Sequence, residues 1–79
     1  MALQYIPDFI YDAGPTGYGE LILNLLISMK KLERGQIIEV ISYDPGAKED
    51  LPAWCRMQNF PLLDRKNFGN TIHYFIEKC

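Results

Sequence analysis

Between residues 19 and 33, apolar side chains return every three to four positions. Leu21, Ile22, Leu25, Leu26, Met29 and Leu32 share one broad face, and that period predicts an amphipathic helix over 19–33. Glu20 in its first turn and Lys30-Lys31 in its last suit the two ends of the helix dipole. Gly35 is expected to close it as a left-handed cap. Elsewhere the period is two. "DFIYD" at 8–12 reads as a short strand, and "QIIEVISY" at 36–43 as another, with Ile38, Val40 and Ser42 on one face against Ile37, Glu39 and Ile41 on the other. "DPG" at 44–46 marks a turn and a helix start. A second helix is expected over 46–59, with Leu51, Trp54, Cys55 and Gln58 on its apolar stripe. Pro52 either kinks this helix or marks the first turn of a shorter one. "PLLDRK" and "NTIHYFIEK" read as strands joined by the hairpin turn "NFGN". The order β-α-β-α-β-β predicts an α+β two-layer sandwich, a four-stranded mixed sheet with two helices on one face, forming one domain over 1–79.

Composition narrows the function. The chain is 48% hydrophobic and 23% charged, with a net charge of -2, values that fit a folded domain. Its basic residues are scattered, so the stripe that nucleic acid demands is missing. The first twelve residues have no basic n-region and carry Asp8 and Asp12 within their apolar stretch, unlike a signal peptide. Leu21–Leu32 is too short to span a bilayer. A cytoplasmic protein off the membrane is expected. Two cysteines and one histidine offer neither a disulfide framework nor a zinc set, and no cofactor or metal is expected.

The stretch that invites chemistry is "GPTGYGEL" at 14–21. A phosphate loop would end in Gly-Lys-Ser/Thr, whereas this helix opens with Gly19-Glu20. The dinucleotide fingerprint G-x-G-x-x-G is present only in reverse, as G-x-x-G-x-G. A weak anion or metabolite site at the helix N-terminus stays open as an alternative, built on Gly17, Tyr18, Gly19 and Glu20. The position also suits an activated thiol, since a helix N-terminus favours thiolate. The residue there is Tyr18.

Around this turn the chain resembles the TusA/SirA family of small sulfur carriers. Tyr11-Asp12-Ala13 precedes the Gly-rich turn, "LERGQ" follows the helix at 32–36, and "YDPGAKEDLPAWCRM" at 43–57 matches the second half. The resemblance implies the same β-α-β-α-β-β sandwich. It also implies that Tyr18 stands where the family carries its persulfide-bearing cysteine, with Gly19 and Leu21 replacing the two prolines of C-P-x-P. Only Glu20 keeps the family character there. Tyrosine forms no persulfide, so the turn reads as a carrier site without its carrier.

The remaining candidates follow. Cys55, beside Trp54, reads as a core thiol, and the resemblance supports that because the family has a cysteine there besides its active one. Cys79, next to Lys78, is the second candidate for a displaced sulfur-carrying thiol. His73 is expected to face solvent on the sheet side away from the helices. Leu23 and Ile27 lie off the main face of the first helix. With Leu26 they form either a wider core face or an exposed interaction patch. The resemblance implies basic residues at 26 and 27, where this chain is aliphatic. Ile37, Ile41 and Phe75 are candidates for a second patch on the open sheet face. The reading is a non-catalytic TusA-like partner, subunit or regulator in sulfur transfer, acting with sulfur-relay or redox proteins or with a second copy of itself. The alternative is a carrier using Cys79 or Cys55.

Overall fold

The computed structural model describes residues 5–79. Its elements are β1 (Phe9–Asp12), α1 (Tyr18–Lys31), β2 (Ile37–Ser42), α2 (Ala47–Gln58), β3 (Leu62–Phe68) and β4 (Thr71–Glu77). The sheet order is β1-β2-β4-β3. β1 runs parallel to β2, while β4 is antiparallel to both β2 and β3. The buried residues of both helices join Ile38, Val40, Tyr74 and Ile76 in one cluster. The helices therefore share one sheet face, and the α+β sandwich is the one the periodicities predict.

Each strand face follows from its alternation. Ile38, Val40 and Ser42 are buried, so the inward set of β2 is the one expected. In α1, Leu21, Leu25 and Met29 are buried at the spacing of a single helical face. The β3–β4 turn is tighter than expected: β3 continues to Phe68, which pairs with Thr71, leaving Gly69-Asn70 as a two-residue turn.

Three local expectations are corrected. Gly35 does not cap α1. The helix stops at Lys31, and its cap residue Leu32 is already extended, at φ -81 and ψ 148. Gly35 instead takes φ +90 in the following turn, where its N–H donates to the Lys78 carbonyl at 2.8 Å. Lys78 Nζ also donates to the Met29 carbonyl at 2.5 Å, which accepts the Leu32 N–H at 3.2 Å as well, so a side chain from the far end of the chain adds a second donor at the end of α1. Gln58 is exposed and does not extend the buried stripe of α2, which runs through Ala47, Leu51 and Cys55. Pro52 lies inside α2 and does not mark its first turn. Its missing N–H leaves the Lys48 carbonyl without a helical donor, and Arg65 Nη1 from β3 donates to that oxygen at 3.3 Å. Asn59, left-handed at φ 61, closes α2.

Candidate functional site

The Gly-rich turn is held by its own polar groups. The Asp12 carboxylate accepts from the Gly14 N–H at 2.9 Å, and Gly14 takes φ +61, a conformation that L side chains avoid. The Thr16 hydroxyl donates to the Ala13 carbonyl at 2.7 Å. Gly17 is the N-cap of α1 and offers no side-chain cap. Its carbonyl accepts from Leu21 N–H at 3.0 Å. Tyr18 is thus the first residue of α1, one position earlier than the periodicity suggests.

Tyr18 is half-buried and packs against the core cluster. Its phenol is pushed above its ordinary range, first by burial, then by Asp50, then by Cys55. The first turn of α2 therefore presents a carboxylate toward this site, which the linear sequence gives no way of seeing. Glu20 adds a second acid in the first turn of α1. A cleft of about 280 Å³ beside Gly17 is lined by Pro15, Thr16, Tyr43, Asp44 and Pro45. Glu20, Asp50 and Asp44 make the surroundings of this helix start acidic, which opposes an anion at its free N–H groups.

The two thiols lie apart in character. Cys55 is 1% exposed, and burial pushes it up to about 11. A cavity of about 470 Å³ between the end of α2 and the start of β3 reaches its neighbourhood, lined also by Pro52, Arg56 and Phe60. Cys79 is exposed. Lys78 beside it is engaged with the Met29 carbonyl and lies 5.9 Å from the centroid of Phe60. Among the described residues, no group of three His, Cys, Asp or Glu is placed to hold a metal ion, and no helix is long and apolar enough to cross a membrane.

On α1, Leu23 is 58% and Ile27 46% exposed, whereas Leu26 is half-buried. Leu23 and Ile27 thus project away from the sheet, and Leu26 belongs in part to the core flank. The open sheet face differs from expectation. His73 does not simply face solvent: its Nδ1 lies 2.5 Å from Glu39 Oε2, with side chains only 20% and 16% exposed. The edge of Phe68 packs on it at 4.6 Å. A partner four positions beyond Gly35 on a different strand could not be read from sequence distance. Phe75 is not an exposed patch residue either. It is 5% exposed because the Tyr5 ring packs on it at 6.5 Å and Lys66 Nζ at 5.5 Å. Ile37 and Ile41 are half-buried.

A family model described as Sulfurtransferase TusA matches residues 20–78, beginning two positions after Tyr18. YrkI of Bacillus subtilis (strain 168), named as a candidate sulfur carrier, is 41% identical over 71 residues, covering 90% of this chain and 95% of that protein. Sulfur carrier protein TusA of Pseudomonas putida (strain W619) is 30% identical over 75 residues, covering 95% of this chain and 94% of that protein. YedF of Escherichia coli (strain K12) is 36% identical over 75 residues, covering 92% and 95%. With the sandwich and its Gly-rich turn in place, these similarities make the chain a member of the TusA family.

Proposed function

We propose that this protein serves sulfur transfer as a non-catalytic member of its family, docking with sulfur-relay or redox proteins as a partner, subunit or regulator. The observation that carries the reading is Tyr18. A phenol packed on the core occupies the helix start where the family resemblance implies a persulfide-bearing cysteine. Docking falls to the Gly17–Glu20 turn and the exposed Leu23 and Ile27 of α1, which leave apolar surface next to a preformed loop. The test is a pull-down with a cysteine desulfurase. Retention that is lost in Leu23→Asp/Ile27→Asp is expected. No retention, with the protein monomeric, would remove the support.

A second reading keeps the sulfur-carrying activity and moves it to Cys79, favoured over Cys55 by its exposure. Mass spectrometry after incubation with a desulfurase and cysteine separates the two readings. A single-sulfur adduct that disappears in Cys79→Ser supports the displaced carrier. An anion or metabolite site at the α1 N-terminus is the third and weakest reading, because three acids surround it. A thermal-shift screen with small anions tests it, since saturating ligand would raise the melting temperature.

A further inference from the structure

We propose that the free edge of β1 is a strand-addition site for an extended segment of a partner protein, one that alternates carboxylate and apolar side chains. The observation starts from the two edges of the sheet, which differ in kind. β3 carries the charged run Asp64-Arg65-Lys66 and a register shift between Leu62 and Asp64, the devices that blunt an edge against further pairing. β1 has neither. Its residues are Phe9, Ile10, Tyr11 and Asp12, its pairing with β2 is regular, and Phe9 and Ile10 are 51% and 63% exposed.

Backbone chemistry specifies a strand as the occupant. β1 pairs only with β2 among the described residues. The Ala13 N–H donates inward to the Ile41 carbonyl at 2.9 Å, so by alternation within the β1–β2 register the amides of Phe9 and Tyr11 also face β2 and those of Ile10 and Asp12 point outward. An extended peptide is the ligand that satisfies such a row, its main chain giving affinity and its alternate side chains giving selectivity.

The side-chain surroundings specify the alternation. On the helix side, the edge opens into a groove of about 210 Å³ lined by Phe9, Ile10, Tyr11, Ser28, Lys31 and Ile38. Lys31 makes no ion pair within the described residues and faces the added strand with an unneutralised charge. Ile10 pairs with Glu39, and so lies on the opposite sheet face. The two acids that bracket β1 are both engaged internally. Asp8 Oδ2 accepts from the Ile37 N–H at 2.8 Å, and Asp12 Oδ1 accepts from Gly14. The fitting peptide therefore turns carboxylates toward α1 and apolar groups toward Ile10. A second copy fits worse. Antiparallel pairing of β1 on itself about Ile10 sets Asp8 of each copy opposite Asp12 of the other, and like charges directly opposite are destabilising.

This surface is separate from the Tyr18 turn, so its test involves no sulfur chemistry. The probe is a fluorescein-labelled octapeptide of alternating Val and Glu, titrated with the full chain and read by anisotropy. Saturable binding is expected, with NMR shift changes concentrated on the amides of Ile10 and Asp12. N-methylating alternate amides of the probe should abolish binding while leaving the protein untouched. Lys31→Glu should weaken it about fivefold, as loss of an exposed ion pair implies. No saturable binding up to about 1 mM peptide overturns the proposal. So does equal affinity for a Val/Lys probe, or a β1-mediated dimer in sedimentation that the peptide does not displace.

Discussion

Replacing Tyr18 by cysteine asks whether the Gly-rich turn is a vacated thiol site. In a Cys55→Ser, Cys79→Ser background the variant holds one thiol, at the first residue of α1. Tyr18 is half-buried at the core's rim, so the truncation costs roughly 1–2 kcal/mol and leaves the fold intact. A free thiol near 8.5 is about 3% thiolate at pH 7. Cys55, pushed up to about 11, is about 0.01% thiolate at that pH. The helix N-terminus favours the thiolate at position 18 and Asp50 opposes it, so the new thiol stays near its free value. The ratio of thiolate fractions alone is then about 300, and the burial of Cys55 adds to it. Iodoacetamide at pH 7, followed by mass spectrometry, should label the introduced cysteine at least about 100-fold faster than Cys55 in a Cys79→Ser control. Asp50→Asn added to the variant should accelerate labelling a further few-fold. Slower labelling than Cys55 would refute the reasoning, because position 18 would then be a sealed core position.

Stability should fall on the alkaline side. Burial raises the Cys55 thiol from 9.0 to about 11, so its contribution is complete below pH 9 and is lost as pH rises through 11. The upper bound is roughly 2.7 kcal/mol, reduced by the water that the adjoining cavity admits. Urea midpoints between pH 8 and 11 should decline, and the decline should shrink in Cys55→Ala. Tyr74→Phe should be neutral or stabilising by about 1 kcal/mol, since the buried Tyr74 hydroxyl has no hydrogen-bond partner among the described residues. That corresponds to a melting temperature higher by about 4–8 °C, and a loss of more than 1 kcal/mol would show that the hydroxyl is satisfied. Arg65→Ala should cost only about 0.5 kcal/mol in chemical denaturation, because the Lys48 carbonyl that Pro52 cannot serve is exposed and takes water in place of the lost donor.

The elements with a clean period were legible in the sequence. The inward set of β2 and the buried row Leu21, Leu25 and Met29 need only alternation or a 3.6-residue repeat, and both are local properties. What was not legible is long-range. Gly35 looks like a helix cap because the chain around it turns, but its N–H bonds to Lys78, which only the docking of β4 brings near. His73 looks solvent-facing because its partner Glu39 lies on another strand. Phe75 looks exposed on an uncovered face because the segment before β1, carrying Tyr5, gives no periodic sign that it folds over the sheet. The acid facing Tyr18 was hidden for the same reason. Asp50 sits next to Leu51 in a helix whose position over the sheet no local pattern supplies.

The fold and the family chemistry are separable here for a physical reason. No residue of the turn from Gly14 to Glu20 belongs to the fully buried core, which begins at Leu21. The turn is fastened from upstream, by Asp12 to Gly14 and by Thr16 to Ala13, so its shape does not depend on which side chain stands at position 18. The Tyr18 ring adds contact with the cluster from the rim. The two prolines of the family motif fix φ and remove donors. With Gly19 and Leu21 in their places the helix start keeps its amide donors, and Leu21 uses its N–H to bond Gly17. Tyr18 to Leu21 thus form an ordinary first helical turn. On the proposed docking reading, such a turn would keep a surface for a partner without a sulfur-carrying atom at position 18.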